Sequence, residues 1–257
     1  MKNSQPESKP VLRSLAMSLA IIGLTACAGP GGHPKDPLEP LNRATFRFNE
    51  EADRYVTRPL AQVYDLAPLP VKTGVGNFFG NLADIWIGVN NLLQGKFGEG
   101  LSDGGRVLVN STVGIFGIFD IATELGLEKH DEDLGQTLGR WGVGDGPYLV
   151  LPLLGSSNLR DTAGLIVDLS VDPVMGISDP GPRNRTTALR FVQKRSQLLG
   201  ADTTAEQAAL DKYDYLRSFY IQYRRSQIYD GRPPREEDPD EGNGADDASP
   251  ATKENPK

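Results

Sequence analysis

The chain has 257 residues, of which 38% are hydrophobic and 24% are charged, with 29 glycines and 19 prolines. This composition is ordinary for a globular protein and excludes a chain disordered throughout, a collagen and a polytopic membrane protein. The net charge of −7, from 27 basic and 34 acidic residues, gives no sign of a nucleic-acid partner, and a single cysteine excludes an internal disulfide and any multi-cysteine metal site.

The first 26 residues have the form of a secretory signal. Basic residues precede the apolar run Leu15–Leu24, which is too short to span a membrane as a mature helix. The next residue is the only cysteine, and Leu24-Thr25-Ala26-Cys27 resembles a bacterial lipobox, in which the cysteine thiol is acylated before cleavage. The alternative for Cys27 is a buried free thiol. Ala28, in place of the Asp that resembles an inner-membrane retention signal, favours sorting to the outer membrane, and residues 27–35 are predicted to be a Gly/Pro tether.

A helix is predicted to follow the tether. Asp36 is a capping residue, Pro37 suits the first helical position, and Glu39 completes a capping box. The helix is expected to end near Thr57, because Pro59 disfavours helical geometry in the residue before it. Apolar residues at three- and four-residue steps predict one buried stripe. This stripe consists of Leu38, Leu41, Thr45, Phe48, Ala52 and Tyr55.

Three later segments, Thr73–Gly95, Val107–Thr123 and Trp141–Leu159, each contain a single charged residue. The first predicts a helix with a Phe/Leu/Ile stripe on one side and mainly amide and glycine residues on the other. Such an uncharged face suits packing on protein, on headgroups or around a wet cavity better than contact with water. None of the segments has about 20 consecutive apolar residues, so none is expected to cross a bilayer. They are either the core of a soluble protein or the surface of a monotopic protein sunk in one leaflet, and the predicted lipid anchor favours the second.

Two more helices are predicted near the C-terminus, one over Arg183–Leu199 and one from Thr203 to Gly231. The buried stripe of the second is expected to contain Leu210, Tyr213, Leu216, Tyr220 and Tyr223. No run of alternating strands joined by turns is evident, so the fold is predicted to be mainly α.

The helical domain is expected to occupy residues 36–229. Residues 230–257 contain nine acidic and four basic residues and too little apolar surface to offset the entropy of ordering. We therefore interpret residues 230–257 as a disordered acidic tail.

The sequence offers no set of catalytic residues. His33 lies in the tether, which leaves His130 as the only histidine of the domain, and there is no G-x-S-x-G elbow. Gly155-Ser156-Ser157 is interpreted as a turn. The run His130-Asp131-Glu132-Asp133 is better explained as an exposed charge run before a helix than as a metal site. We therefore expect no enzyme activity, no metal and no cofactor.

A series of short motifs follows in order from Asp36 to Gly231. They are Asp36-Pro37-Leu38-Glu39 with Asn42-Arg43, Phe46-x-Phe48-Asn49, Gly76-Asn77-Phe78, Asn90-Asn91-Leu92-Leu93-Gln94-Gly95, Arg106-x-x-x-Asn110-Ser111-Thr112, Gly135-Gln136-Thr137-Leu138-Gly139, Trp141-Gly142-Val143-Gly144, Leu151-Pro152 and Arg160-Asp161. Together they resemble the MlaA/VacJ family of outer-membrane lipoproteins. Pro40 and the acidic tail depart from the family pattern, and Pro40 is tolerable in a first helical turn.

The resemblance implies a monotopic, ring-like helical domain with amphipathic helices and a central amphipathic channel, on the periplasmic side of the outer membrane and anchored through Cys27. It implies that mislocalised phospholipid leaves the outer leaflet through this channel, which maintains lipid asymmetry. The implied partners are phospholipid, a porin trimer that holds the ring, and a soluble periplasmic carrier that feeds an inner-membrane ABC transporter. Two alternatives stay open: a structural or assembly lipoprotein, and a lipid-cleaving enzyme.

Two groups of residues are candidates for function. The lipid-channel candidates are Phe48, Asn49, Asn77, Asn81, Asp84 and Asn91, although core packing would also explain Phe48. The candidates for docking a partner, which lie off the predicted stripe of the last helix, are Tyr215, Phe219, Arg224 and Arg225. For this second group, contact with lipid headgroups is the alternative to docking.

Overall fold

The computed structural model describes residues 35–202 and 211–234. The helices are α1 (Glu39–Ala52), α2 (Arg58–Asp65), α3 (Leu69–Leu93), α4 (Phe97–Thr112), α5 (Ile121–Glu124), α6 (Leu134–Arg140), α7 (Leu159–Val171), α8 (Pro180–Gln197) and α9 (Lys212–Ile228). The prediction of a mainly α fold is confirmed. Across the described ranges no helix is both long and apolar enough to cross a membrane. Cys27, Leu210, the predicted helix start at Thr203 and the tail beyond residue 234 lie outside these ranges.

The first helix begins later than its capping pattern predicts. Its N-cap is Leu38, which makes no side-chain cap. The carboxylate of Asp36 is buried instead, and it accepts hydrogen bonds from Asn42 Nδ2 at 2.8 Å and from Arg217 Nη1 at 2.9 Å. A buried carboxylate needs such partners. Asp36 therefore joins the start of α1 to α9 and does not cap α1.

The predicted helix end near Thr57 is also wrong. A π turn, Asp53–Thr57, joins α1 directly to α2, and the Arg58 N–H bonds to the Asp53 carbonyl. Pro59 lies in the first turn of α2, where a missing N–H costs little. The wider turn shifts the backbone pairing by one residue just ahead of the proline, so the chain stays helical across it.

A small β-hairpin, which the sequence did not predict, lies between α6 and α7. Its strands β1 (Tyr148–Leu151) and β2 (Gly155–Asn158) are antiparallel, with Leu151 opposite Gly155. The segment interpreted as a turn, Gly155-Ser156-Ser157, is therefore the start of β2. Asn42 of α1 binds the backbone of β1 through Val150 N–H and the Tyr148 carbonyl, each at 2.9 Å.

The hairpin, α1 and α9 enclose an apolar cluster of aromatic rings, which we call the aromatic corner. Its buried members are Tyr148, Val150 and Tyr213, with Phe46 and Tyr220 packed against them. The rings of Tyr148 and Tyr213 meet edge to face, with centroids 6.2 Å apart. The other buried members of α9 differ from the predicted stripe. They are Arg217, Arg224 and Ile228, whereas Tyr223 is 50% exposed.

Candidate functional site

Within the described residues, polar side chains fill most of the interior and apolar side chains cover much of the outside. Nineteen polar or charged residues are buried, against nine hydrophobic ones, while 37 large hydrophobic residues are exposed. Proteins surrounded by water show the opposite preference and rarely expose large contiguous apolar patches. The arrangement therefore suits a domain whose outer surface meets an apolar medium.

The centre of this polar interior is Arg106 on α4, which is 1% exposed. Its Nη2 donates to both carboxylate oxygens of Asp120 at 2.9 Å, and its Nε lies 3.3 Å from Asp84 Oδ2 on α3. Nη1 donates to the hydroxyl of Thr123 at 3.0 Å and to the carbonyl of Leu127 at 2.6 Å. A buried guanidinium is tolerated only when its donors are satisfied in this way. The cluster fixes α3, α4 and the loop after α5 relative to one another.

Close packing of α3 on α4 completes this seam. The two helices approach at Gly88 and Gly100, where a Cβ on Gly100 would lie 3.0 Å from the Gly88 carbonyl oxygen and 2.7 Å from Leu92 Cγ. Asn91 of α3 donates to Asp103 of α4 at 2.7 Å. The seam is therefore filled, and the cavity described next lies on the neighbouring face of α3.

An open cavity of about 470 Å³ lies between α3, the loop at residues 129–131 and α8. Its lining consists of Gly76, Phe79, Gly80, Ala83 and Ile87 from α3, Lys129, His130 and Asp131 from the loop, and Arg190, Gln193, Lys194 and Gln197 from α8. The α3 wall is apolar or small, and the other two walls are polar and mainly cationic. The cavity is therefore amphipathic. Its cationic walls match an anionic head and its apolar wall matches apolar tails, so it suits a ligand that has both.

The cations of this cavity differ in their partners. Lys129 is paired with the buried Asp84, and Arg190 is paired with Asp172. Lys194 forms no ion pair with any residue that the structure describes. Desolvation lowers the pKa of Lys194 and the positive charge of Arg190 lowers it further, and together they outweigh the opposite effect of the charges of Asp131 and Asp172. An anion in the cavity would relieve both effects, so Lys194 is the cation best placed to receive one.

The predicted lipid-channel residues do not line this cavity. Asn81 and Asn91 are buried in the α3–α4 seam, and Asp84 is 1% exposed below Lys129. Asn77 donates to the carbonyl of Ile118 at 3.0 Å, outside the lining. The predicted amide face of α3 therefore packs on α4. The cavity uses the neighbouring face, which carries Gly76, Phe79 and Ala83.

The two candidates on α1 also lie elsewhere. Asn49 bonds the hairpin, donating to the Leu151 carbonyl at 2.9 Å and accepting from Leu153 N–H at 2.7 Å. Phe48 is 56% exposed on the outer surface, so the core-packing interpretation is wrong for it. The stripe that predicted burial points outward, as the exposure of Leu41 and Tyr55 also shows.

The four docking candidates on α9 fall into two groups. Tyr215 and Phe219 stack with ring centroids 6.5 Å apart, and Phe219 stacks on Tyr223 at 5.6 Å. This aromatic ladder, Tyr215–Phe219–Tyr223, lies away from the buried face. Arg225 donates to the carbonyl of Pro234.

Arg224 is buried, and its role is internal. Its Nε donates to Asp161 at 2.7 Å and its Nη2 to Asp133 at 2.5 Å, which joins α9 to α6 and α7. Only 11% of the Arg224 side chain is exposed and its donors are taken by these two carboxylates, so Arg224 holds internal elements together and is poorly placed to dock a partner.

Sequence reasoning missed the charged walls of the cavity. Arg190 and Lys194 are four residues apart on α8 and so share one face, a spacing that the sequence displays. Charge on a helix is ordinarily explained by contact with water, so this spacing did not point to a cavity. His130 was assigned to an exposed run, whereas its side chain is 19% exposed and contacts the buried Asp103.

The fold and site together define a class: a helical protein with a largely apolar exterior and an open amphipathic cavity. A family model described as MlaA lipoprotein matches residues 34–227. The chain therefore belongs to the MlaA lipoprotein family, as the motifs predicted.

Curated relatives and a solved structure agree with this assignment. The intermembrane phospholipid transport system lipoprotein MlaA of Shigella flexneri and that of Escherichia coli (strain K12) are each 35% identical over 219 residues, which is 82% of this chain and 86% of the relative. The protein of that name from Haemophilus influenzae is 28% identical over 237 residues. A structure published under the heading "Structural basis for maintenance of bacterial outer membrane lipid asymmetry" matches with a TM-score of 0.66 and 32% identity, covering 75% of this chain and 98% of the other.

Proposed function

We propose that this protein is a component of intermembrane phospholipid transport that removes mislocalised phospholipid from the outer leaflet of the outer membrane. The observation that carries the proposal is the amphipathic cavity between α3 and α8 inside a domain with an apolar exterior. The names of the curated relatives, which describe phospholipid transport, and the subject of the matched structure, lipid asymmetry, support it. A purely structural lipoprotein has no need of an open cavity of this size.

The cavity gives separate surfaces to the two parts of a phospholipid. Phe79, Ala83 and Ile87 offer an apolar wall to the acyl chains, while Lys194 and Arg190 face the phosphate from α8. Moving an anionic headgroup through an apolar barrier is costly unless charge or hydrogen bonds compensate it. We assign Lys194 the main share of this compensation, because its ammonium forms no direct ion pair with a carboxylate of the described residues.

Reversing the charge of Lys194 tests this path. In a strain lacking its own protein, Lys194→Glu should leave phospholipid in the outer leaflet at nearly the level of the deletion, measured with a leaflet-resolved lipid readout. The matched control is Arg185→Glu on the same helix, since Arg185 is exposed and lies outside the cavity. The control should restore asymmetry at equal protein level. Full function of Lys194→Glu would show that lipid does not pass this wall.

We further propose that Cys27, which lies outside the described residues, becomes the acylated N-terminus of the mature protein. Two or three acyl chains, at about 0.8 kcal/mol per buried methylene, would hold the domain at the membrane. Cys27→Ala should accumulate as unprocessed precursor in the inner membrane, as judged by fractionation and mass spectrometry. Normal processing and outer-membrane sorting of this variant would refute the anchor.

The partners that we propose are a porin trimer, which would contact the apolar exterior, and a soluble periplasmic carrier that passes lipid to an inner-membrane ABC transporter. For the carrier we assign the aromatic ladder with Arg225, since Phe219 and Tyr223 are exposed and Tyr, Phe and Arg side chains are typical of protein interfaces. A photo-crosslinker at Phe219 should capture the carrier in intact cells. One at Leu66, which is 84% exposed at the C-terminal end of α2 and lies outside the aromatic ladder, should not. Capture from Leu66 alone would refute the assignment.

The proposal includes no catalytic step, because transfer of an intact lipid needs only binding and release. Purified protein should therefore leave phospholipid unhydrolysed, as measured by the release of free fatty acid. Sustained hydrolysis that survives rigorous purification would favour the lipid-cleaving alternative.

A further inference from the structure

His130 is a cavity residue whose role the proposed transport function does not specify. It lies on the loop between α5 and α6 and lines the cavity next to Lys129. Its ring nitrogen Nδ1 lies 2.8 Å from Oδ1 of Asp103 on α4. Among the described residues, no hydrogen bond is made by its other ring nitrogen, Nε2.

Asp103 holds this ring in a defined orientation. Its side chain is 0% exposed, and its second oxygen, Oδ2, accepts a hydrogen bond from Asn91 at 2.7 Å. A buried carboxylate can only accept, so the proton of the pair lies on Nδ1 of His130. Because both oxygens of Asp103 are engaged, the carboxylate cannot turn away without losing a buried hydrogen bond.

This geometry decides what the free nitrogen can do. In the neutral ring Nε2 is an acceptor, and in the protonated ring Nε2–H is a donor that carries positive charge. The charged groups around the ring are Asp103 from α4, Asp84 from α3, Lys129 and Asp131 from its own loop, and Arg190 and Lys194 from α8. Asp84 is paired with Lys129 and Asp103 is committed to His130. The acids that face the two cations of α8 are Asp172, which is paired with Arg190, and Asp131.

We infer that His130 is a phosphodiester-binding residue of the cavity, which donates Nε2–H in its protonated form to the phosphate of a phospholipid, with Asp103 as its positioning residue. The inference rests on the proposed function and names the chemistry by which that site recognises its lipid. A phosphodiester keeps its single negative charge from mildly acidic to mildly basic pH, so protonation of the imidazole is the change of charge that alters this contact. Binding through His130 should therefore strengthen as the pH falls.

The test uses the full-length protein in detergent and a soluble probe, dihexanoyl phosphatidylglycerol, titrated by calorimetry at about pH 8 and about pH 5.5. The wild type should bind roughly tenfold more tightly at the lower pH, since a hydrogen bond to a charged group is gained. His130→Gln keeps a side-chain amide near the position of Nε2 but cannot be protonated, so its affinity should not change with pH. Asp103→Asn should weaken binding at the lower pH while leaving the fold intact by circular dichroism.

Two further probes identify the source of the phosphate. Dihexanoylglycerol, which lacks the phosphate, should bind equally to the wild type and to His130→Gln. Inorganic phosphate should bind much more weakly than the lipid, and equal binding would assign the residue to a free anion and overturn its role in lipid recognition.

The outcomes separate this inference from the proposed function. If His130→Gln shows the same pH dependence as the wild type while Lys194→Glu loses lipid binding, the cavity binds lipid but His130 does not recognise its phosphate. If the wild type binds none of the lipid probe, both the cavity function and the role of His130 are overturned.

Discussion

The helix pair α3–α4 and the aromatic corner are built in opposite ways. On α4, Asp103 and Arg106 are 0% and 1% exposed, whereas Leu101 and Leu108 are 74% and 69% exposed. In the aromatic corner the apolar rings of Tyr148 and Tyr213 are buried. The hydrophobic effect buries apolar groups only where the surroundings are water. The comparison teaches that the two regions suit different surroundings: the apolar surface of α3–α4 suits an apolar medium, and the corner suits water.

The loop that follows α4 extends the apolar side of this comparison. Ile115 and Phe116 both have positive φ, at 53° and 55°, a conformation that bulky residues rarely adopt. Their side chains are 54% and 76% exposed. A strained backbone that presents apolar side chains outward is consistent with contact between this loop and lipid.

The largest expected effect comes from breaking the polar seam of α3–α4. Arg106→Met would remove the guanidinium that joins Asp120 to the buried Asp84, and loss of one partner of a buried ion pair costs about 3–5 kcal/mol. Chemical unfolding in detergent should show a loss of this size. The control is Arg140→Ala, which removes a partly exposed pair with Asp230 and should cost no more than about 1 kcal/mol. Equal effects of the two substitutions would contradict the account of the seam.

A smaller effect is expected where the two helices approach. Gly100→Ala places a Cβ against the Gly88 carbonyl and should cost about 1–3 kcal/mol through overpacking. Gly104→Ala on the same helix meets no atom within 4 Å and should stabilise the protein by about 0.5–1 kcal/mol through helix propensity. The two variants should therefore shift the unfolding midpoint in opposite directions. A shift in the same direction would show that the approach of α3 to α4 is not limiting.

In the aromatic corner, removal of a single buried hydroxyl should have a moderate effect. Tyr213→Phe removes the hydrogen bond to Asp36, which keeps its bonds from Arg217 and Asn42. The expected cost is about 1–1.5 kcal/mol, measured by thermal unfolding. Tyr215→Phe, on the aromatic ladder outside the corner, should cost close to nothing.

Acid should destabilise α3–α4 first and alkali should destabilise the aromatic corner first, whereas neither region should lose stability near neutral pH. Burial raises the pKa of Asp120, but hydrogen bonds from Thr123, Asn110 and Arg106 outweigh it and lower the pKa to about 2. The stability from Asp120 is therefore present above about pH 4 and is lost as the pH falls towards 2. Burial and the nearby Asp36 raise the pKa of Tyr213 above its usual value, so its contribution is present below about pH 10 and is lost as the pH rises beyond that.

Hydrogen exchange followed by mass spectrometry checks this contrast region by region. Peptides from α4 should lose protection first in acid, and peptides from β1, β2 and α9 should lose it first in alkali. Simultaneous loss in both regions at both extremes would refute the assignment of these groups.

The sequence predicted helices well but not which of their faces is buried. The periodic stripes located α3 and most of α9, because a helical repeat is visible whatever surrounds it, and the bounds predicted for α8 were also close. The same repeat does not tell which side of a helix faces the interior. The stripe of α1 therefore predicted a buried Phe48, and the amide face of α3 predicted that Asn81 lines a channel. In this protein polar side chains are buried and apolar ones are exposed. That pattern depends on what surrounds the folded protein, which the local sequence does not reveal.

Other features depended on contacts between distant residues. Asp36 looked like a cap because its true partner, Arg217, is 181 positions away. The hairpin was missed because β2 begins with Gly155-Ser156-Ser157, residues typical of turns. The cavity brings together α3, a loop and α8, and no motif in a single sequence spans all three.

The central claim, that phospholipid passes through the cavity between α3 and α8, is tested most directly by blocking that cavity reversibly. Cys27 is the only cysteine, and its acylation would leave no other thiol, so Ala83→Cys would place a single reactive thiol on the apolar wall. A bulky thiol reagent that forms a cleavable disulfide should then stop leaflet-resolved lipid transport, and a reductant should restore it. The same reagent on Val63→Cys, which is 67% exposed on α2, should change nothing. Transport that continues at the unmodified rate with the thiol at position 83 fully labelled would contradict the account.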